Sequence, residues 1–466
     1  MQNRILNAAA ARENANSLAA ALGIETEAAS ELLSATVLIT AQADSPSAQG
    51  VAWELRQLLQ RTLRTVTLEP SGERTAIEVV IGTASAHFAA PTIWVAATPV
   101  EAVISRAEPE ERGFADLHPV ISLVVACYVA GAVVALVTAD ALPSVFPKPL
   151  ILDLQALGTR QQLERRLDLQ TTYLAGAGAI GNGVLWALRH LDVYGRLDVV
   201  DFDTVKDANL QRQIWFGAAD IGHKKAERLC LQAQEHMSHL KLVPRVARVQ
   251  DLTDKQVDPR WLRRIIVAVD SRRARRSLQE ELPEEVFDAS TTDIREIVLH
   301  YSKQPTSRAC MGCIYPVDDM ESAHATHVAE VLGVSVEDVE QNQISESAAL
   351  RIMANYPERG LTVESLVGEA YDSLFKSLCA QAALVMPEGR QVFAPFAFVS
   401  VLAGTLLAIA MVRRLNGDEL DYNYWTVSPW FPYSIRMKRD IEANPQCHVC
   451  SVPVIRAVGS ELWTPR

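Results

Sequence analysis

Apolar positions along the chain fall into two arrays of similar order. The first opens with TVLIT (36–40) and passes through VAWELRQLLQRTL, an amphipathic helical stretch. It returns to short apolar runs in IEVVIGT (77–83) and PTIWVAAT (91–98). Short apolar runs bounded by turn residues read as strands, and the 3.6 period reads as a helix with one buried face. The second array runs TTYLAGAGAIGNGVLWALRHL, RLDVVDFD, KLVPRVARV and IIVAVD (265–270). Each array closes on a long apolar segment, 119–138 in the first and 393–412 in the second. Strands alternating with helices predict a parallel α/β sheet in each array.

Both closing segments are long enough to cross a hydrocarbon layer of ~30 Å, and Arg413 and Arg414 could flank the second. Both are rich in Ala, Gly and Ser, which let helices approach closely. The expected reading is a pair of buried core helices, with no membrane. The fold class follows: α/β, two Rossmann-like halves, only the second with a glycine loop. The segment 315–390 breaks the pattern, because SVEDVEQNQISESAALRIMANY is polar and helical in texture. It reads as an inserted helical region. The expected division is 1–150, 151–314, 315–390 and 391–466.

The 466 residues suit two to three domains, and 49% hydrophobic with 21% charged residues describes a folded chain rather than a disordered one. A net charge of -12 leaves no global basic field for nucleic acid. Seven cysteines are too few for a disulfide scaffold. The first residues, MQNRILNAAAARENANSLAAAL, lack the apolar core of a secretory signal, so a cytoplasmic location is expected.

The chemistry begins at Leu174, read as a strand end. Gly176, Gly178 and Gly181 follow in G-A-G-A-I-G, and a helix opens behind them. Glycines permit the tight turn and close approach of backbone to phosphate, and a helix N-terminus favours the anion. Asp201, 20 residues after Gly181, ends the next strand, where a ribose-binding carboxylate belongs. An NAD oxidoreductase would carry the same features. Arg212 and Lys225 shift the balance, since a triphosphate needs cations of this kind more than a dinucleotide does. Asp270 ends the strand IIVAVD and is suited to hold magnesium beside triphosphate oxygens. Cys310 and Cys313 form one C-x-x-C pair, Cys447 and Cys450 another. Together they offer the four thiolates of a closed structural zinc site. Cys127 and Cys230 lie in apolar helical contexts and read as packing residues.

GAGAIG, VVDFDTVKDANLQRQ, Lys225, VAVDSRRAR and the two C-x-x-C pairs together resemble the family of MoeB, ThiF and the eukaryotic ubiquitin-activating enzymes. The resemblance covers roughly residues 170–315 and 377–450. It implies ATP, magnesium and zinc. It gives Asp201 the ribose, with Asp203 beside it in the nucleotide site. Asn209, Arg212 and Lys225 take the phosphates, Asp270 takes magnesium, and Gln213 orders the loop. Cys379, in SLFKSLCAQAALVMPEG with Lys376 nearby, is the implied nucleophile that takes the activated carboxylate as a thioester. An arginine near the start of one half reaches the nucleotide of the other in this family, which makes Arg4 a candidate. The region 315–376 is longer than in MoeB or ThiF and resembles the enlarged catalytic-cysteine region of ubiquitin-activating enzymes. The N-terminal half resembles their inactive adenylation domain. The compact layout is similar to the activating enzyme of bacterial ubiquitin-like conjugation operons of the antiphage Bil type.

The resemblance therefore implies an enzyme that adenylates the C-terminal glycine of a ubiquitin-like protein, forms a thioester and passes it to a conjugating enzyme. A pseudo-dimer within one chain is preferred to a homodimer. Three alternatives stay open: a sulfur-carrier adenylyltransferase, an NAD oxidoreductase and a non-catalytic scaffold subunit.

Overall fold

The computed structural model describes residues 6–70, 74–142, 148–292, 294–317, 319–341, 344–368, 371–378, 395–418, 420–433 and 437–464. Its strands form two sheets. The first contains β1 (Thr36–Ala41), β2 (Thr65–Thr67), β3 (Ile77–Ile81), β4 (Thr92–Ala97), β5 (Glu101–Ser105) and β6 (Leu150–Asp153), in the order β2-β1-β3-β4-β5-β6. The second contains β7 (Leu167–Ala175), β8 (Val193–Val200), β9 (Leu240–Arg245), β10 (Arg264–Val267), β11 (Glu285–Thr292), β12 (Glu296–Lys303), β13 (Tyr424–Val427) and β14 (Lys438–Arg439). Their order is β14-β13-β12-β11-β10-β7-β8-β9.

The expected parallel sheet is present in each array, with antiparallel strands added to it. β2, β1, β3 and β4 pair in parallel, but β5 and β6 return antiparallel. In the second sheet β9, β8, β7, β10 and β11 are parallel, and β12 to β14 are antiparallel. β12 buries four residues in a row, but β6 alternates buried and exposed residues and β13 buried and half-buried ones. The apolar signal of β6 and β13 is therefore weaker than that of the fully buried β3. β6 straddles the boundary expected at residue 150 and completes the first sheet.

Both long apolar segments are core helices. Over their most apolar stretches, Pro119–Val137 is 89% buried and Ala397–Leu415 is 78% buried. They pack on each other, and Ala397–Leu415 also packs on the helix Ala179–Leu188 behind the glycine loop. That contact is made by bare backbone. A Cβ at Gly404 would lie 2.4 Å from the carbonyl carbon of Gly183, and one at Gly183 would lie 2.7 Å from Ser400 O.

A buried acid joins the halves. Glu54, on the helix Pro46–Leu59, accepts from Trp186 Nε1 at 2.8 Å, from Arg189 and from His190 Nε2 at 2.8 Å. Arg189 lies over the Trp53 and Trp186 rings, which stack on one another.

Between Asp319 and Leu378 the described residues form helices with a core of their own, built on Val328, Leu332, Ile352, Leu366 and Phe375. Arg276, on the helix Arg272–Glu280, pairs with Glu321 at 2.5 Å and donates to Tyr315 O at 3.1 Å, tying this unit to the second sheet.

Candidate nucleotide site and cysteine cluster

β7 and β10 are neighbours, and the chain leaves β7 to one side for β8 and later returns to the other for β10. Such a switch point opens a crevice at the carboxyl ends of the strands. The glycine loop leaves β7 there, Asp201 follows β8, and Asp270 follows β10.

The glycines are demanded by space. Gly176 has φ +100°, and a Cβ on it would meet Ala268 O at 2.7 Å. A Cβ on Gly181 would stand 2.0 Å from Gly176 O. Gly178 caps the helix Ala179–Leu188 and faces open space, with nothing within 4 Å of where its Cβ would be. Open space in front of a helix N-terminus suits an anion such as phosphate.

Asp201 binds the loop to β8. Its two oxygens accept from Ala177 N at 2.7 Å and Asp203 N at 2.8 Å. Burial pushes its pKa up, opposed by Lys225 and by both amides. Lys225 is buried and gives its Nζ to Asp203 at 2.7 Å. Burial alone would lower Lys225, but the carboxylates of Asp201, Asp203 and Asp270 outweigh it, so its pKa is raised. Arg212 donates to Ala208 O at 3.3 Å. Burial draws its pKa down against the pull of Glu13 and Asp270. Asn209 accepts from Lys206 N at 3.1 Å. Gln213 is buried, and its Oε1 has no hydrogen-bond partner among the described residues. The fold thus gathers an alternation of acids and cations at the carboxyl ends of β7, β8 and β10. Cys379 and Arg4 lie outside the described residues.

Three contributors escape a reading by motif. Asn182, fully buried, donates to Ala177 O and Gly178 O at 2.9 Å and accepts from Trp215 N at 3.1 Å. It joins the glycine loop to the segment carrying Arg212. A lone amide in the apolar run AIGNGVLWAL was its signal. Arg61 and Asn7 reach the same segment from the first half, where no local pattern marks them. In that half the turn after β1 holds Gln42 where a glycine loop would run. Its side chain packs against Gly82, accepts from Thr83 N at 3.2 Å and donates to Asp44 at 2.9 Å.

The four cysteines of the two C-x-x-C pairs come together. Sγ separations are 3.8 Å for Cys310–Cys313, 3.7 Å for Cys310–Cys447 and 3.2 Å for Cys313–Cys450, and all four sulfurs lie within 4.8 Å of one another. Tetrahedral Zn–S bonds of about 2.3 Å would set sulfurs about 3.8 Å apart, so the set fits such an ion. Asn444 N points at Cys313 Sγ at 3.3 Å, favouring thiolate. Cys127 and Cys230 are buried apart from this cluster. Burial pushes Cys127 well up and Cys230 to about 12, so both remain thiols.

The fold and site define an α/β protein with a glycine loop at a switch point and acids and cations gathered beside it. The chain belongs to the ThiF family, whose model matches residues 148–449, and the E1 N-terminal domain matches residues 7–160. It is 28% identical over 396 residues to the uncharacterized protein y4jF of Sinorhizobium fredii, covering 78% of this chain and 73% of that one. It is 36% identical over 84 residues to the NEDD8-activating enzyme E1 catalytic subunit of Arabidopsis thaliana, 18% of each chain. It is 41% identical over 64 residues to the probable adenylyltransferase/sulfurtransferase MoeZ of Mycobacterium tuberculosis, 14% of this chain and 16% of that one. The match thus spans less than a fifth of either of those last two proteins.

Proposed function

We propose that this chain uses ATP to adenylate the C-terminal glycine carboxylate of a ubiquitin-like protein. The observation that carries the reading is the convergence of Asp201, Arg212, Lys225 and Asp270 around an open glycine loop at the sheet's switch point. Family membership and the NEDD8-activating relative support the substrate class.

In this reading Asp201 accepts the ribose hydroxyls on lone pairs its two amides leave over. Arg212 and Lys225 neutralise the phosphates, and Asp270 would hold magnesium, which would offset triphosphate charge. A carboxylate oxygen of the glycine attacks the α-phosphorus, the bond to the β-phosphate oxygen breaks, and pyrophosphate leaves. The chain contributes position and charge rather than a proton. The Cys379 thiolate then attacks the acyl carbon, AMP leaves with the electron pair, and the thioester passes to a conjugating enzyme's cysteine. Residues 1–150 serve as the inactive adenylation-like half and 315–390 as the cysteine-bearing region. The cysteine cluster would hold zinc, which would clip residues 447–463 to the second sheet. The cytoplasm is the proposed location. The resemblance in layout to antiphage conjugation operons supports defence as the setting.

Isotope exchange between pyrophosphate and ATP tests the first step, with a ubiquitin-like protein ending in glycine present or absent. Exchange that requires that protein and is lost in Asp270→Ala supports adenylation. No exchange in the folded, metal-replete chain with its partner sinks it. A thiol-reducible conjugate that persists in Cys379→Ala would remove that residue from the mechanism. The MoeZ-like stretch favours one second reading, activation of a sulfur carrier, in which sulfide rather than a conjugating enzyme takes the acyl group.

A further inference from the structure

We infer that Arg61, in the half without a glycine loop, is a positioning residue for the nucleotide loop of the other half. The inference rests on the ATP reading above only for what the loop binds.

The segment from Asp207 to Phe216 carries Asn209, Arg212 and Gln213. It is built of short turns, so it lacks the ladder that satisfies the carbonyls of a strand or long helix. Backbone amides take Asn209 O and Gln213 O, but among the described residues none takes Leu210 O or Ile214 O. Arg61 takes both. Its Nη1 donates to Leu210 O at 2.6 Å and its Nη2 to Ile214 O at 2.8 Å. These carbonyls bracket Gln211, Arg212 and Gln213, so the planar guanidinium sets the two ends of the turn that presents Arg212.

Arg61 is itself held. It is 5% exposed, and Asn14 donates to its carbonyl at 2.7 Å. Asn14 lies on the helix Ala8–Leu22, whose N-cap Asn7 reaches Asp207 at 2.5 Å. The same helix carries Glu13, one of the two carboxylates that act on Arg212. The first half therefore grips the loop at Asp207, Leu210 and Ile214, and a rigid fork does so at the two points nearest Arg212. A charged donor buried against two carbonyls leaves both unsatisfied when removed.

The test uses the full chain. Arg61→Met should speed amide hydrogen exchange across 207–216 while β7, β8 and β10 stay protected. It should weaken ATP binding about 10- to 100-fold, the range expected for lost charge-assisted hydrogen bonds. In pyrophosphate exchange the change should fall mainly on the KM for ATP rather than on kcat. Arg61→Lys, which keeps a charged donor, should recover part of it. ATP affinities of Arg61→Met, Arg212→Ala and the double variant should combine less than additively, because one residue acts through the other. Additive effects, or a fall in thermal stability with unchanged loop exchange and KM, would overturn the inference. If Arg61→Met does not fold, Asn7→Ala provides the same reading of loop exchange and KM from a more exposed contact. Loop exchange is measured without nucleotide. A wild type that shows no pyrophosphate exchange would count against adenylation and leave the Arg61 result readable.

Discussion

Asp201 illustrates how one side chain serves architecture and ligand together. Both its oxygens are engaged by amides, one of them from inside the glycine loop. Asp201→Asn exchanges one of these acceptors for an NH2 donor facing an amide donor. ATP affinity should fall about 10- to 100-fold, read by titration calorimetry, with Tm lowered as well. Lys225 differs. Its ion-pair partner Asp203 is half-exposed, so Lys225→Met should cost the fold less than Asp201→Asn does while it removes pyrophosphate exchange. Gly176, Gly178, Gly181 and Asp201 were legible as a motif because backbone sterics and strand-end position are local properties. Asn182 was visible only as an odd amide in an apolar helix, since its partner Trp215 lies far along the chain.

At the scale of elements, two helices carry the joint between the sheets. The contact of Gly183 with Gly404 leaves no room for a methyl, so Gly404→Ala should cost about 1–3 kcal/mol by overpacking, read as a lower midpoint in chemical unfolding. The helix Pro119–Val137 is capped by His118, whose Nδ1 accepts from Val120 N at 3.2 Å. Burial lowers the His118 pKa to about 4 from an ordinary value of 6.5. The unfolded chain thus binds this proton first. The stability His118 contributes is complete above pH 6.5 and is lost as pH falls toward 4. His118→Asn keeps a cap without the titration, so the slope of unfolding free energy against pH should flatten across that window. The helices themselves were readable from apolar length. Whether they faced lipid or protein depended on neighbours distant in sequence.

For the whole molecule, the buried contact of Glu54 with Arg189, Trp186 and His190 is a junction between the halves. Glu54→Ala strands a buried guanidinium and should cost about 3–5 kcal/mol in equilibrium unfolding. The cysteine cluster makes a second long-range tie, from 310–313 to 447–450. Metal analysis should find about one zinc per chain. Cys450→Ser should lose it and expose the helix Pro453–Trp463 to protease, with β7 to β10 intact.

The sequence alone determined what is local. Strand and helix periods, the glycine loop, the acid 20 residues beyond it and the C-x-x-C spacings all follow from backbone geometry and ligand chemistry over short stretches. Only the tertiary structure decided the antiparallel returns of both sheets, because strand direction is set by which segments pair and not by the apolar pattern within one strand. It also decided which distant side chains hold the nucleotide loop. Arg61 is separated from Leu210 by 149 positions and Glu54 from Trp186 by 132. Their pairing is set by how two sheets and the helices between them pack, which no short pattern encodes.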